Sequence, residues 1–268
     1  MTGRARPSIP LRTHVTLGLA GAGSILAFAW PLFVAPDASL AQTDVAPLVF
    51  ALVLPLMAAV VATEIGDGAL DARTVAMLGV LSALGAALRP LGAGVGGVEL
   101  VFFLIVLGGR VFGPGFGFLL GSTTLIVSAL ITAGVGPWLP YQMLAASWVG
   151  LGAGLLPSAR GRLELWMLVA YGAVASLVFG LLMNLSFWPF ALGGDTSLSF
   201  VPGDPIGSNL IRFLGFTAAT SLAWDVGRAI TTSGLMLIVG GIVLRALRRT
   251  ARRAAFDVPA EFAQPSDT

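Results

Sequence analysis

Long apolar stretches, separated by short polar or glycine-proline connections, recur along almost the whole chain. A helix needs roughly 20 apolar residues to cross a bilayer, and fewer where neighbouring protein shields it. On that scale the pattern predicts eight spanning segments, at about 14 to 35, 46 to 63, 74 to 89, 98 to 112, 116 to 134, 139 to 157, 163 to 190 and 222 to 246. The fourth is short, and Gly113-Pro114-Gly115 turns the chain tightly into the fifth. The expected fold class is therefore all-α, a polytopic membrane helix bundle.

The polar connections orient the segments. Arg4, Arg6 and Arg12 precede the first, Arg160 and Arg162 separate the sixth from the seventh, and Arg245, Arg248, Arg249, Arg252 and Arg253 follow the last. Basic residues flanking spans mark the cytoplasmic face, so an even number of crossings with both termini cytoplasmic satisfies all three groups. As one helix, the 40 residues from Leu210 to Arg249 would extend about 60 Å, twice the hydrocarbon thickness. Residues 208 to 221 are accordingly expected to form an outer, partly interfacial helix before the last span.

Three regions follow: a two-helix transmembrane appendage over 1–63, a six-helix membrane core over 74–249, and a disordered cytoplasmic tail over 256–268. The first two are divided by the polar run from Glu64 to Arg73. A cleavable leader is the alternative reading of the N-terminus, with Ser39-Leu40-Ala41 as the small-residue site. Its apolar stretch of about 20 residues exceeds the 7–15 usual for a leader, which favours a retained helix.

Composition agrees with the pattern and narrows the chemistry. The chain is 56% hydrophobic and 10% charged, with mean hydropathy +0.92, where soluble domains hold about 25% charged residues. All 15 basic residues are arginine, cysteine is absent and His14 is the single histidine. That removes a Walker lysine, a Schiff base, thiolate chemistry and a histidine-rich zinc site. No cofactor, resident metal or nucleic-acid partner is expected, and the chain does not read as an enzyme. The basic residues lie beside hydrophobic segments, as at a membrane face.

Ionisable and amide groups inside spans are costly, so their depth is informative. In the predicted topology Arg89, Glu99, Gln142, Asn184, Trp188, Asp225 and Arg228 all fall in the outer half of the core, with Trp138 at the same level. Converging there, they would form a solute pocket open outward and sealed below by apolar packing. Asp225 with Arg228 and Asn184 with Trp188 share helix faces by spacing, and Trp138, Trp188 and Trp224 can stack on a ring-bearing ligand. The alternatives are a structural ion pair for Asp225–Arg228, interhelical hydrogen bonds for Asn184 and Gln142, and snorkelling to headgroups for Arg89, Arg110 and Arg212. A separate signal is the small-residue spacing of Gly79, Ala83 and Ala87, which permits close helix approach, within this protein or to a partner.

The runs Gly113-Pro-Gly-Phe-Gly-Phe-Leu-Leu-Gly121 and Gly134-Val-Gly-Pro-Trp-Leu-Pro-Tyr-Gln-Met-Leu-Ala-Ala-Ser-Trp-Val-Gly-Leu-Gly-Ala-Gly154, with residues 76 to 90, resemble the substrate-binding S components of energy-coupling factor transporters, actinobacterial type. The resemblance covers roughly residues 74 to 249. It implies a six-helix core with cytoplasmic termini in the cell membrane and capture of a vitamin or related micronutrient near the outer surface. It also implies partnership with a transmembrane T component and two ATPase subunits. In that family small residues of the first core helix contact the T component; the matching positions here are Ala83 and Ala87, with Gly79 one step earlier. Two additional N-terminal spans depart from the family pattern. The outer connection from Gly193 to Asn209 is expected to act as a lid over the pocket. The rival readings are an ion-coupled secondary transporter using Glu99 or Asp225, a lipid-modifying enzyme using both, and a scaffold.

Overall fold

A computed structural model describes residues 11–33, 55, 56, 59, 63, 71–92, 95–136, 138–192 and 196–256. Of the expected second span only Pro55, Leu56, Ala59 and Thr63 are described, each helical, and the candidate cleavage site and the tail beyond 256 lie outside the described residues. Every regular element among the described residues is a helix: α1 (Leu11–Ala29, continuing into a tight turn at Trp30–Leu32), α2 (Ala72–Leu88), α3 (Val101–Phe112), α4 (Pro114–Ile131), α5 (Leu139–Leu155), α6 (Gly161–Ala191), α7 (Ile206–Thr220), α8 (Leu222–Leu235) and α9 (Gly241–Phe256). A π turn at Met236–Gly240 joins the last two without a break.

Four helices are long and apolar enough to cross a bilayer: Ala72–Gly92, Pro114–Ile131, Gly161–Ala191 and Leu222–Arg252. This is a helical membrane protein. The core segments begin within a few residues of the expected limits, and all but the last end within a few; the last, expected to stop at about 246, runs on as helix to Phe256. Asp71 accepts the Thr74 amide at 2.7 Å and caps α2, and hydrogen bonds from the Thr74 side chain and amide hold the exposed carboxyl below its ordinary range. Gly113, at φ 102°, ends α3 in a conformation that side chains resist, and Pro114 starts α4 where no amide donor is needed. Ser221 separates the outer helix α7 from the span that follows.

The interior is organised around α3, α4 and α5. Gly117 and Gly121 on α4 face Gly150 and Ala146 on α5, and Gly154, four residues on, meets the start of α4 at Gly113 and Pro114, so the two backbones touch. A Cβ added to Gly150 would lie 2.0 Å from the Gly117 carbonyl oxygen, and one added to Gly109 of α3 would lie 2.0 Å from that of Gly150. Small residues permit such approach where lipid supplies no hydrophobic drive for helix association. Around this seam pack Phe102, Phe116, Phe118, Leu119, Leu120 and Met143, all at most 2% exposed.

The first helix lies against this core. Trp148 Nε1 of α5 donates to Ser24 Oγ at 2.8 Å, and Phe28 meets Tyr141 with ring centroids 5.5 Å apart.

Candidate functional site

The buried polar chemistry sits at two opposite ends of the bundle. At the first, α8 presents Asp225 and Arg228, which are 3% and 5% exposed. Arg228 Nη1 donates to Asp225 Oδ1 at 2.7 Å and to the Ser176 carbonyl of α6 at 3.2 Å, while its Nη2 donates to Glu99 Oε1 at 2.9 Å. The flat faces of the guanidinium are covered by Phe179, 5.1 Å from its centroid, and Phe102, at 5.6 Å. Rings so placed attract a cation. Arg228 Nε is buried and has no hydrogen-bond partner among the described residues, an unpaired donor of the kind a bound group satisfies.

Glycines make this arrangement sterically possible. Asp225 occupies space opened by Gly180 of α6, where a Cβ would fall 2.0 Å from its Oδ1. Glu99 arrives beside Arg228 because the preceding connection crosses α8 in backbone contact. Gly97, at φ 79°, lies where a Cβ would sit 2.0 Å from the Trp224 carbonyl, and Gly227 mirrors it against Gly96.

Two further polar pairs lie at this end. Arg89 Nη2 of α2 donates to Gln142 Oε1 of α5 at 2.8 Å, and the Glu99 charge also acts on Arg89. Asn184 Nδ2 donates to Thr217 Oγ1 at 3.2 Å and to Ser221 Oγ, tying α6 to α7 and the start of α8. Asp225 is also bonded to Ser221, so the Asn184 pair adjoins the Arg228 cluster. Sequence reading missed Ser176, Ser221 and Thr217, since isolated hydroxyls in apolar helices carry no pattern. It missed equally the buried hydroxyls of Thr124 and Ser128, which have no hydrogen-bond partner among the described residues.

The tryptophans stand apart from this cluster in their contacts. Trp188 is 1% exposed, packed between Phe200 and Phe213, with its Nε1 donating to the Leu198 carbonyl at 2.8 Å. Its ring is therefore engaged by the outer connection and α7, and the structure does not bring it to the Arg228 cluster. Trp138, 49% exposed at the start of α5, points away from the interior, and Trp224 is 41% exposed.

From Thr196 to Asn209 the connection between α6 and α7 is held by its own hydrogen bonds as a cap. The Val201 amide donates to Asn209 Oδ1 at 3.2 Å and Asn209 Nδ2 returns to the Val201 carbonyl at 2.8 Å. Arg212 donates to Asp204 at 2.6 Å, so its cation is paired where snorkelling was expected. Leu192, Thr196, Phe200 and Arg212 line a cavity of about 370 Å³ beneath this segment. Asn209→Ala removes both bonds to Val201 and should loosen the cap by about 1–3 kcal/mol. Hydrogen exchange over 196–205 should accelerate while that of α4 stays unchanged.

At the opposite end Arg110 corrects the expectation of a snorkelling side chain. It is 5% exposed, its Nε donates to Glu164 Oε1 at 2.7 Å, and its Nη1 donates to the Leu156 carbonyl at 2.9 Å. Arg248 of α9 reaches the same Glu164 oxygen at 2.5 Å. The ends of α3, α5, α6 and α9 are thereby fastened by one buried carboxylate. The tight turn at Gly113 buries the last turn of α3 against its neighbours, so its arginine needs an internal counter-ion rather than a headgroup.

On α2 the small residues split between faces. Gly85 and Ala86 are buried, and a Cβ on Gly85 would meet Thr124 at 2.7 Å. Gly79, Ala83 and Ala87 are exposed on the outer side, and a Cβ on Gly79 would meet nothing within 4 Å.

Among the described residues no group of three or more His, Cys, Asp or Glu side chains is placed to hold a metal ion. Comparison with family models, with curated proteins and with solved structures found no match to this chain.

Proposed function

We propose that the chain is the membrane-embedded substrate-binding subunit of an ATP-driven importer of the energy-coupling factor type. In this reading eight helices cross the cell membrane and both termini are cytoplasmic. A vitamin-like solute is captured at the outer end and delivered inward with a T component and two ATPases. The observation that carries the reading is the gathering of Arg89, Glu99, Gln142, Asp225 and Arg228, from four separate segments, at one end of the bundle. A solute with polar edges would bind by exchanging with these contacts: Glu99 is the reachable partner, its side chain 24% exposed, and the buried Arg228 Nε offers an unused donor. Asn184, beside the cluster, binds a further polar edge, and Trp138 and Trp188 belong to the rim and cap rather than to the floor.

Mass spectrometry of small molecules released from the purified protein tests this directly. A copurified micronutrient lost on Glu99→Gln supports the reading; a protein that carries and binds none of a panel of such solutes opposes it. The exposed Gly79/Ala83/Ala87 strip supplies the docking face for the T component. Ala83→Trp should abolish uptake, by tenfold or more, while leaving solute binding within about twofold, and retained uptake would exclude this face.

One arrangement favours a second reading, an ion-coupled secondary transporter. Arg228 is shared by two carboxylates, so either Glu99 or Asp225 can take a proton and leave the cation paired. Uptake by the chain alone in vesicles, without ATPases and driven by a pH gradient, would decide for it.

A further inference from the structure

The end of the molecule that carries the Arg110–Glu164–Arg248 triad also carries a set of arginines that neither reading of the outer site uses. On α9, Leu244 and Leu247 are buried against the bundle, 5% and 8% exposed. Arg245, Arg249 and Arg252, spaced i, i+4 and i+7, form one exposed stripe and make no ion pair among the described residues. Arg160, on the connection between α5 and α6, and Arg162, in the first turn of α6, are both exposed. That connection belongs to the same end, because the neighbouring Leu156 and Glu164 bind Arg110 and Arg248. Five exposed cations therefore share one end of the bundle. Asp71 is the exposed acid among the described residues, and it is committed to capping α2.

Depth identifies what these cations face. The helix from α8 into α9 is continuous, and Trp224, exposed at the outer end, is 21 residues from Arg245. At 1.5 Å per residue that separation is about 31 Å, the thickness of the hydrocarbon layer. With Trp224 at one interface, where exposed tryptophans settle, Arg245 reaches the opposite hydrocarbon boundary, and Arg249 and Arg252 lie about 6 Å and about 10 Å beyond it. That is the headgroup layer. The bond from Arg248 to Glu164 fixes the rotation of α9, so the stripe stays turned outward instead of folding onto the bundle.

We propose that α9, with Arg160 and Arg162, forms a binding surface for anionic phospholipid headgroups, whose phosphodiesters take the guanidinium forks of Arg245, Arg249 and Arg252. Guanidinium is the group suited to paired hydrogen bonding with phosphate oxygens. A cluster of this size beside a transmembrane helix is a recognised form of anionic-lipid site. The surface is independent of the solute pocket and of any energising partner.

The test uses the full chain, purified and delipidated in neutral detergent, then reconstituted into nanodiscs of equal parts phosphatidylglycerol and phosphatidylcholine. Lipid retained after re-extraction is counted by native mass spectrometry. The wild-type protein should hold phosphatidylglycerol over phosphatidylcholine by about tenfold or more, since each surface arginine contributes roughly a fivefold gain toward an anionic layer. R245Q/R249Q/R252Q should bring that ratio near one, and R245K/R249K/R252K, which keeps the charge but not the paired hydrogen bonds, should restore only part of it. The retained fold is checked by unchanged thermal unfolding, because these side chains are exposed. Free inorganic phosphate at millimolar concentration should not compete; if it displaces the lipid, the site is one for soluble phosphate and the lipid proposal fails. Equal retention of both lipids by wild type and the glutamine variant would also overturn it, leaving the stripe as a contact for an acidic protein.

Discussion

Gly150→Leu should give no folded protein. At this position the α5 backbone touches two neighbours at once: a Cβ would sit 2.0 Å from the Gly117 carbonyl oxygen, and a Cβ on Gly109 would meet the Gly150 carbonyl at the same distance. The obstacle to a side chain on Gly150 is the main chain of α4, so no rotamer change relieves it, and α4 and α5 would have to separate. Ordinary overpacking in a core costs about 1–3 kcal/mol because side chains can shift; forcing two backbones in direct contact apart costs more than that, against a typical total stability of about 5–15 kcal/mol. Aggregation on size-exclusion chromatography in mild detergent is the expected readout. Gly79→Leu is the control: it introduces a larger side chain into open space at the bundle surface and should leave thermal unfolding unchanged. A monodisperse Gly150→Leu protein that melts like wild type would mean that the seam is not closed as described.

This pair of glycines also shows what the sequence could and could not convey. Apolar runs, Pro114 and Gly113 mark helix limits through local chemistry, so most core helices are legible to within a few residues, while the basic helix that prolongs the last span to Phe256 was not. Partner faces are different, because glycine and alanine at four-residue spacing look alike wherever they occur. Gly117, Gly121 and Gly150 hold a buried seam, whereas Gly79, Ala83 and Ala87 repeat the same spacing in the open. The tool that separates them is the neighbour, which sequence does not contain.

Ion pairs divide in the same way. Asp225 and Arg228 lie three residues apart on one helix, so their pairing is readable. The Arg228–Glu99 bond spans 129 positions and depends on Gly97 crossing α8. Glu164 was invisible as a hub because its two arginines come 54 positions before and 84 positions after it. Trp188 lies on the predicted helix, yet its ring faces the cap because the 198–200 segment folds back over it. Depth follows from position along a helix, while the direction a side chain faces follows from tertiary packing.

Arg228 allows the structural and solute-binding roles of the outer cluster to be separated by measurement. Arg228→Ala leaves Asp225, 3% exposed, without its cation and uncovers the space between Phe102 and Phe179. Removing one partner of a buried pair costs about 3–5 kcal/mol, since the remaining charge stays desolvated. Arg228→Ala should therefore unfold at much lower temperature or fail to fold. Replacing both members with apolar residues of similar volume, as in Arg228→Met with Asp225→Leu, removes the stranded charge and should recover most of the lost stability. The hydrogen bonds a solute would use are not recovered. Glu99→Gln, by contrast, keeps the Arg228–Asp225 bond and alters a side chain that is 24% exposed, so it should leave the fold within about 1 kcal/mol of wild type. If the cluster is only a lock, Glu99→Gln and the double variant will behave like wild type in every binding measurement. If it is the floor of a solute site, both variants will be folded and will have lost the copurifying molecule, a combination that a purely structural ion pair does not produce.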